Sequence, residues 1–170
     1  SGYLIPTILL REFSKTGHVS IMSFYERRAR RILPTLFVVT AVTFLLAWMI
    51  MLPKEFRDFG QSVVASGVFL SNVFFASESN YFASVSAFKP FLHTWSLSVE
   101  EQFYLVFPVL LLTMAKFSPG NLKWVLAALA LTSFSVGLHG SKTAPTEAFF
   151  LPAGRAWELL AGALLGFIRP

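Results

Sequence analysis

The chain has 170 residues, of which 55% are apolar and only 14% charged, with a net charge of +5; its mean hydropathy is +0.63. A soluble domain carries about 25% charged residues, so an ordinary water-soluble fold is excluded. The absence of cysteine also excludes a disulfide framework, a thiol nucleophile and a cysteine metal site.

Abundant Phe and Trp suit lipid-facing surfaces and interfacial belts. Stretches without any charge take the place of the alternation that a half-buried element would show. The fold class expected is all-α, a polytopic transmembrane helix bundle of about five membrane segments, with one segment open to a re-entrant reading.

Ser1-Gly2-Tyr3-Leu4-Ile5 follows neither an initiator Met nor a basic leader, so it does not read as a secretory signal. It reads as the end of a membrane helix. Arg169-Pro170 stops straight after another apolar run, and the expectation is an internal fragment.

Residues 32–52 contain no charge. A helix of that length spans roughly 30 Å, the thickness of the hydrocarbon core. Pro34 is expected in its first turn, where a missing N–H costs little. Arg27, Arg28, Arg30 and Arg31 lie at its foot, so that end is expected to face the cytoplasm. Pro53-Lys54-Glu55 then opens an outer loop.

Residues 60–77 are apolar but rich in Ser, Gly and Asn, which fits either a full span or a re-entrant hairpin. A polar, aromatic loop is expected from Glu78 to Ser98. Residues 102–115 reach spanning length only if their helix begins before Glu100. Pro119-Gly120 breaks a short turn between Lys116 and Lys123. Residues 124–138 form another span, His139 to Thr146 a loop, and about 148–168 the last helix, which carries Arg155 and Glu158. If 60–77 crosses fully, the His93 loop is cytoplasmic. If that segment is re-entrant, the loop lies outside and the Lys116/Lys123 turn inside. The second arrangement satisfies the positive-inside rule at both basic sites and is preferred.

Charge inside or beside a membrane helix needs a reason, because one charged side chain at mid-bilayer costs about 2.5–3.5 kcal/mol on insertion scales. In Phe24-Tyr25-Glu26-Arg27-Arg28-Ala29-Arg30-Arg31 the arginines cover most of a helix circumference. They read either as a topology determinant touching anionic lipid or as a cradle for a phosphorylated donor, since guanidinium binds phosphate bidentately.

In His93-Thr94-Trp95-Ser96-Leu97-Ser98-Val99-Glu100-Glu101-Gln102-Phe103-Tyr104, Ser96 or Ser98 can cap a helix whose positive end favours Glu100 and Glu101. The remaining grouping of His93, two carboxylates and Tyr104 suits proton removal from a sugar hydroxyl, with His or Glu as base. Arg155 and Glu158, at i,i+3, can pair on one face of their helix. Their role is either mutual neutralisation within the bundle or chemistry. Gly162 and Gly166 form a small-xxx-small step suited to packing. No HExxH, GxSxG, P-loop or GxGxxG spacing occurs, and three scattered histidines do not make a metal site.

The stretches SGYLI, FYERRARRILP, FLHTWSLSVEEQFYLVFP and RAWELLAGALLG together resemble the acyltransferase 3 family of membrane proteins. They occur in the family's order across nearly the whole chain, and HTWSLSVEEQFYL is long and specific. The resemblance implies a bundle of about ten helices in a bacterial inner membrane. It also implies transfer of an acyl group, usually acetyl from cytoplasmic acetyl-CoA, to a hydroxyl of a cell-envelope glycan such as O-antigen or peptidoglycan. By motif it carries over His93, Glu100, Glu101 and Tyr104 as catalytic candidates, and Arg28, Arg31, Arg155 and Glu158 as donor-binding or structural charge.

One departure stands out. The family's first helix places a basic residue, then ten positions, then a catalytic histidine, whereas Thr7, Phe82 and Ala128 occupy the required places before the three histidines here. The resemblance therefore implies that 1–170 is a partial acyltransferase 3 transmembrane domain, without the first and the later helices and inactive alone. It implies acyl-CoA as donor substrate with no bound cofactor, a glycan acceptor, membrane lipid around the bundle, and no nucleic acid. Two other readings remain: a transporter or flippase whose intramembrane Arg and Glu line a substrate path, and an inactive truncated remnant.

Overall fold

The computed structural model describes residues 20–78, 89–117 and 119–168, together with Ile8, Leu9 and Glu12. The opening SGYLI, most of the loop before His93 and the closing Arg169-Pro170 lie outside the described residues. Every regular element among the described residues is helical. The chain divides into two compact units, residues 20–98 and residues 99–170 with 1–19. Among the described residues, four helical stretches are long and apolar enough to cross a membrane: Ile21–Ile50, Thr94–Met114, Leu122–Thr143 and Pro145–Gly166. They fit the all-α polytopic bundle expected, and two shorter helices lie between Ile50 and Thr94.

In the 20–98 unit, α1 (Ile21–Ile50) is capped by Ser20, whose Oγ accepts the Ser23 N–H. It begins eleven residues before the expected charge-free run, because the arginine-rich turns are helical as well. Pro34 therefore lies in the helix interior and not in its first turn. Thirty residues amount to about 45 Å of helix, longer than the hydrocarbon core, so the basic turns project beyond it. Phe37, Leu45 and Met49 are exposed along this helix, as lipid contact requires.

Pro53 starts α2 (Pro53–Gly67) at its first position and holds Leu52 extended. The Glu55 carboxylate closes that end by accepting the Leu52 N–H at 3.2 Å. α2 stops in a Schellman arrangement: the Leu70 N–H donates to Ala65 O and the Phe69 N–H to Ser66 O. Phe69 takes the left-handed conformation at φ 55°, a place usually given to glycine. α3 (Ser71–Ser77) follows. Neither helix alone is long enough to cross a bilayer, so the 60–77 segment is broken at Val68–Leu70 and is not one continuous spanning helix. Ala47 of α1, Phe59 of α2 and Phe91 form the core of this unit, with Leu36, Met51, Phe56 and Val63 packed against them.

The expected Glu78–Ser98 loop ends early. Residues 90–93 form a turn and α4 (Thr94–Phe117) begins at Thr94, which gives the 102–115 run its spanning length. The unit boundary falls within α4.

In the 99–170 unit a 3-10 turn, Pro119–Asn121, leads into α5 (Leu122–Thr143). The expected 139–146 loop is almost absent: α5 runs to Thr143 and only Ala144 separates it from α6 (Pro145–Phe150). Pro145 drives Ala144 out of the helical region, and Pro152 does the same to Leu151 before α7 (Pro152–Ile168). The expected 148–168 helix is thus divided at Leu151. α5 packs along α7 through glycine. A Cβ on Gly137 would lie 2.6 Å from the Gly154 carbonyl oxygen. A close helix approach thus falls at Gly137 and Gly154.

Candidate active site

His93 closes the turn before α4 and is exposed. It is placed there by its neighbours. Phe91, two residues earlier, is buried with its ring 5.6 Å from Phe59 and 6.2 Å from the His93 imidazole. Thr94 and Ser98, on the first turns of α4, are also buried. Thr94 Oγ1 donates to Phe91 O and pairs with Ser66 Oγ at 2.7 Å, while Ser98 Oγ pairs with Ser71 Oγ at 2.7 Å. An apolar anchor and two hydroxyl pairs thus fix the backbone on either side of His93.

The capping expectation needs correction. Ser96 and Ser98 lie inside α4, where the Ser96 hydroxyl donates to His93 O and Ser98 faces Ser71. Glu100 and Glu101 are the seventh and eighth residues of the helix, past the first turn where the helix dipole is felt.

Both carboxylates are half-buried, and Tyr104 is only 1% exposed. Glu100 and Glu101 stand four and three residues before Tyr104, so the three share a broad face of α4. His93 precedes Glu100 by seven residues in the chain, and the two belong to different compact units. The residues read as one group thus divide into His93 in the turn before α4 and, in the 99–170 unit, two half-buried carboxylates and a buried tyrosine.

The arginines lie elsewhere. Arg30 is paired with Glu26, one turn earlier and both exposed, at 2.6 Å. Arg28 is half-buried and Arg31 exposed. His93 lies beside Phe91, which packs on Ala47 near the far end of α1. Arg28 precedes Ala47 by nineteen residues, about 28 Å along the axis and close to one hydrocarbon thickness. Within the 20–98 unit the candidate donor cradle and the candidate base thus stand at opposite ends of one spanning helix.

In the 99–170 unit Arg155 and Glu158 pair as expected, with Arg155 Nε and Nη2 at 3.1 and 3.0 Å from Glu158 Oε1. The guanidinium also lies 5.1 Å from the Phe149 ring centroid, a cation–π contact. Sequence reasoning missed the support beneath this pair. The Ser133 hydroxyl of α5 donates to Ala153 O at 2.7 Å and accepts the Trp157 N–H at 3.0 Å, bracketing Arg155 on α7. It also missed the Lys89–Glu78 ion pair, which ties together the two ends of the 79–88 stretch. Among the described residues no group of three His, Asp or Glu side chains is placed to hold a metal ion.

The fold and these side chains define a helical membrane protein with charge held inside its spans and an exposed histidine at one helix mouth. The profile of the family described as "Acyltransferase domain" matches residues 1–170, and the chain belongs to that family. It is 33% identical over 178 residues to a provisionally named O-acetyltransferase of Staphylococcus aureus strain COL, covering 100% of this chain and 29% of that protein. It is 32% identical over 173 residues to the O-acetyltransferase OatA of S. aureus strain NCTC 8325 / PS 47, covering 100% of this chain and 28% of OatA. The chain thus spans less than a third of these relatives. No solved structure gives a significant match.

Proposed function

We propose that this chain is part of a membrane-bound O-acyltransferase that moves an acyl group, acetyl by the names of its relatives, from acyl-CoA to a hydroxyl of a cell-envelope carbohydrate. The observation that carries this reading is the placement of His93, exposed and fixed on both sides, at the mouth of a helix that carries Glu100, Glu101 and Tyr104. His93 takes the acceptor hydroxyl proton as its oxygen attacks the thioester carbonyl. The new C–O bond forms, the C–S bond breaks, and the proton passes to the departing CoA thiolate. Glu100 and Glu101 are the alternative bases for the acceptor proton. Arg28 and Arg31 hold donor phosphates.

By the positive-inside rule the arginine end of α1 faces the cytoplasm. The His93 turn then lies on the extracytoplasmic side of a bacterial inner membrane, where a glycan acceptor is found. The donor's phosphates and the activated acceptor are thus held about a bilayer apart, and the long pantetheine arm of CoA, reaching inward from the phosphates, carries the thioester toward the hydroxyl at His93. Arg155 and Glu158 act as a mutually neutralised pair within the bundle. The transporter reading predicts no CoA release and gives no use to a fixed His93.

The test is acetyl transfer from labelled acetyl-CoA to envelope glycan in membranes carrying the complete protein. His93→Ala, Glu101→Gln and Arg28→Ala are compared with wild type at matched protein level. Label in glycan that these substitutions abolish supports the reading. Labelling that is absent from wild type, or indifferent to all three, refutes it.

A further inference from the structure

The 20–98 unit buries a set of hydroxyls that the proposed chemistry leaves unused. Ser66, Ser71, Thr94 and Ser98 are exposed by 2%, 0%, 4% and 1%. They form two pairs at 2.7 Å, Ser66 with Thr94 and Ser71 with Ser98, each joining residues nearly thirty positions apart. Thr94 and Ser98 are i,i+4 and share one face of α4. Ser66 lies in the last turn of α2 and Ser71 opens α3, so the two pairs straddle the left-handed turn at Phe69.

The Ser66–Thr94 pair draws on the same two hydroxyl hydrogens as two backbone contacts. Three contacts are within reach: Ser66 Oγ to Ser62 O, Ser66 Oγ to Thr94 Oγ1, and Thr94 Oγ1 to Phe91 O. Two hydroxyls supply only two hydrogens. In either arrangement that makes the inter-hydroxyl bond, one hydroxyl donates to the other and one donates to a backbone carbonyl. The Phe91 carbonyl already accepts the Thr94 N–H, so Phe91 loses little when Thr94 turns toward Ser66.

We propose that these four hydroxyls form a clasp that sets the position of His93 for acyl transfer, with Ser66, Ser71, Thr94 and Ser98 acting as positioning residues through the first turns of α4. The clasp supplies what apolar packing alone does not, namely register. A slip of α4 by one residue rotates its face by about 100° and separates both pairs at once. His93 adjoins Thr94 in the chain, so the clasp acts within one residue of the imidazole. Misplacement of a reacting group by about 1 Å lowers rate by up to roughly 100-fold.

This inference rests on the acyltransferase reading, and its test separates the two. Thr94→Val and Ser98→Ala remove hydroxyls with little change of shape, Ser66→Ala/Thr94→Val removes both ends of one bond, and Thr94→Ser keeps the hydroxyl. Each is made in the complete protein, and kcat and KM are measured per folded molecule. The expected result is a fall in kcat of about 10–100-fold for Thr94→Val and Ser98→Ala, with KM for acetyl-CoA within about twofold of wild type. The double variant is expected to be no worse than the poorer single one, and Thr94→Ser to retain most activity. An active wild type whose hydroxyl-deleted variants keep full kcat per folded molecule, or lose only folded protein, overturns the clasp alone. A folded wild type that transfers no acetyl overturns the functional reading and the clasp with it.

Discussion

Gly137 of α5 and Gly154 of α7 meet so closely that a methyl group on either would press on backbone. A Cβ on Gly137 would sit 2.6 Å from Gly154 O, and one on Gly154 would sit 2.7 Å from Ala148 O. Backbone cannot swing aside as a long side chain can. Gly137→Ala therefore sets about 1–3 kcal/mol of overpacking against the 0.5–1 kcal/mol or so that Ala gains over Gly within a helix. The expected outcome is net destabilisation by about 1–2 kcal/mol. Gly60, in the interior of α2, has nothing within 4 Å of its virtual Cβ, so Gly60→Ala is expected to stabilise by up to about 1 kcal/mol. Unfolding of the purified protein in detergent measures both, and equal effects of one sign would contradict the contact.

The signals that could be read in the sequence were those of composition and of proline. Charge-free runs mark the spans because lipid tolerates little else, and Pro53, Pro145 and Pro152 each begin a helix here. The break at Leu151 was visible in the same way, as the residue before Pro152. What the sequence concealed was tertiary. Gly140 was read as part of the His139–Thr146 loop, yet it lies in α5, where Ala148 of α6 comes within 2.9 Å of its virtual Cβ. Phe69 fills a left-handed position that composition assigns to glycine, so the end of α2 carried no signal. For the candidate site, the residue types and their order along the chain could be read and the packing around them could not. The expected topology already set the arginines and the His93 loop on opposite sides; what it lacked was the anchor, Phe91 in one core with Ala47 near the far end of α1.

Arg155 and Glu158 test whether charge inside the bundle is structural. Removing one member takes away the opposite charge beside the other in a membrane helix, where a single charge costs about 2.5–3.5 kcal/mol on insertion scales. Removing both leaves a neutral helix. Glu158→Gln alone is thus expected to reduce insertion and folded yield more than Arg155→Gln/Glu158→Gln. The check is the membrane-integrated fraction of each variant, with acyl transfer per folded molecule alongside. A double variant that folds but transfers nothing would move the pair from neutralisation to chemistry.

The placement of His93 far from the arginines gives a sidedness prediction. The 170 residues contain no cysteine, so single cysteines introduced here report their own accessibility. Lys54→Cys and His93→Cys, both at exposed positions, are expected to react with a membrane-impermeant thiol reagent added outside spheroplasts. Lys123→Cys, also exposed, is expected to react only after the membrane is opened. Protection of His93→Cys from outside would place the turn in the cytoplasm and require a full crossing by 60–77.

The same separation divides the kinetic parameters. Arg28 lies about 28 Å along α1 from Ala47, which shares a core with Phe91 two residues before His93, so the two side chains do not hold the same group. Arg28→Ala and Arg31→Ala remove charge-assisted phosphate contacts of about 1.5–3 kcal/mol each. They are expected to raise KM for acetyl-CoA by about 10–150-fold, since 1.4 kcal/mol is tenfold, with kcat little changed. His93→Ala removes a general base and is expected to lower kcat by about 100–10,000-fold while leaving KM for the donor nearly untouched. Steady-state kinetics with acetyl-CoA varied at saturating acceptor measures both. Were Arg28→Ala to depress kcat as strongly as His93→Ala, the two ends of α1 would have to act in one chemical step, and the proposal of donor binding on one face and acceptor activation on the other would fail.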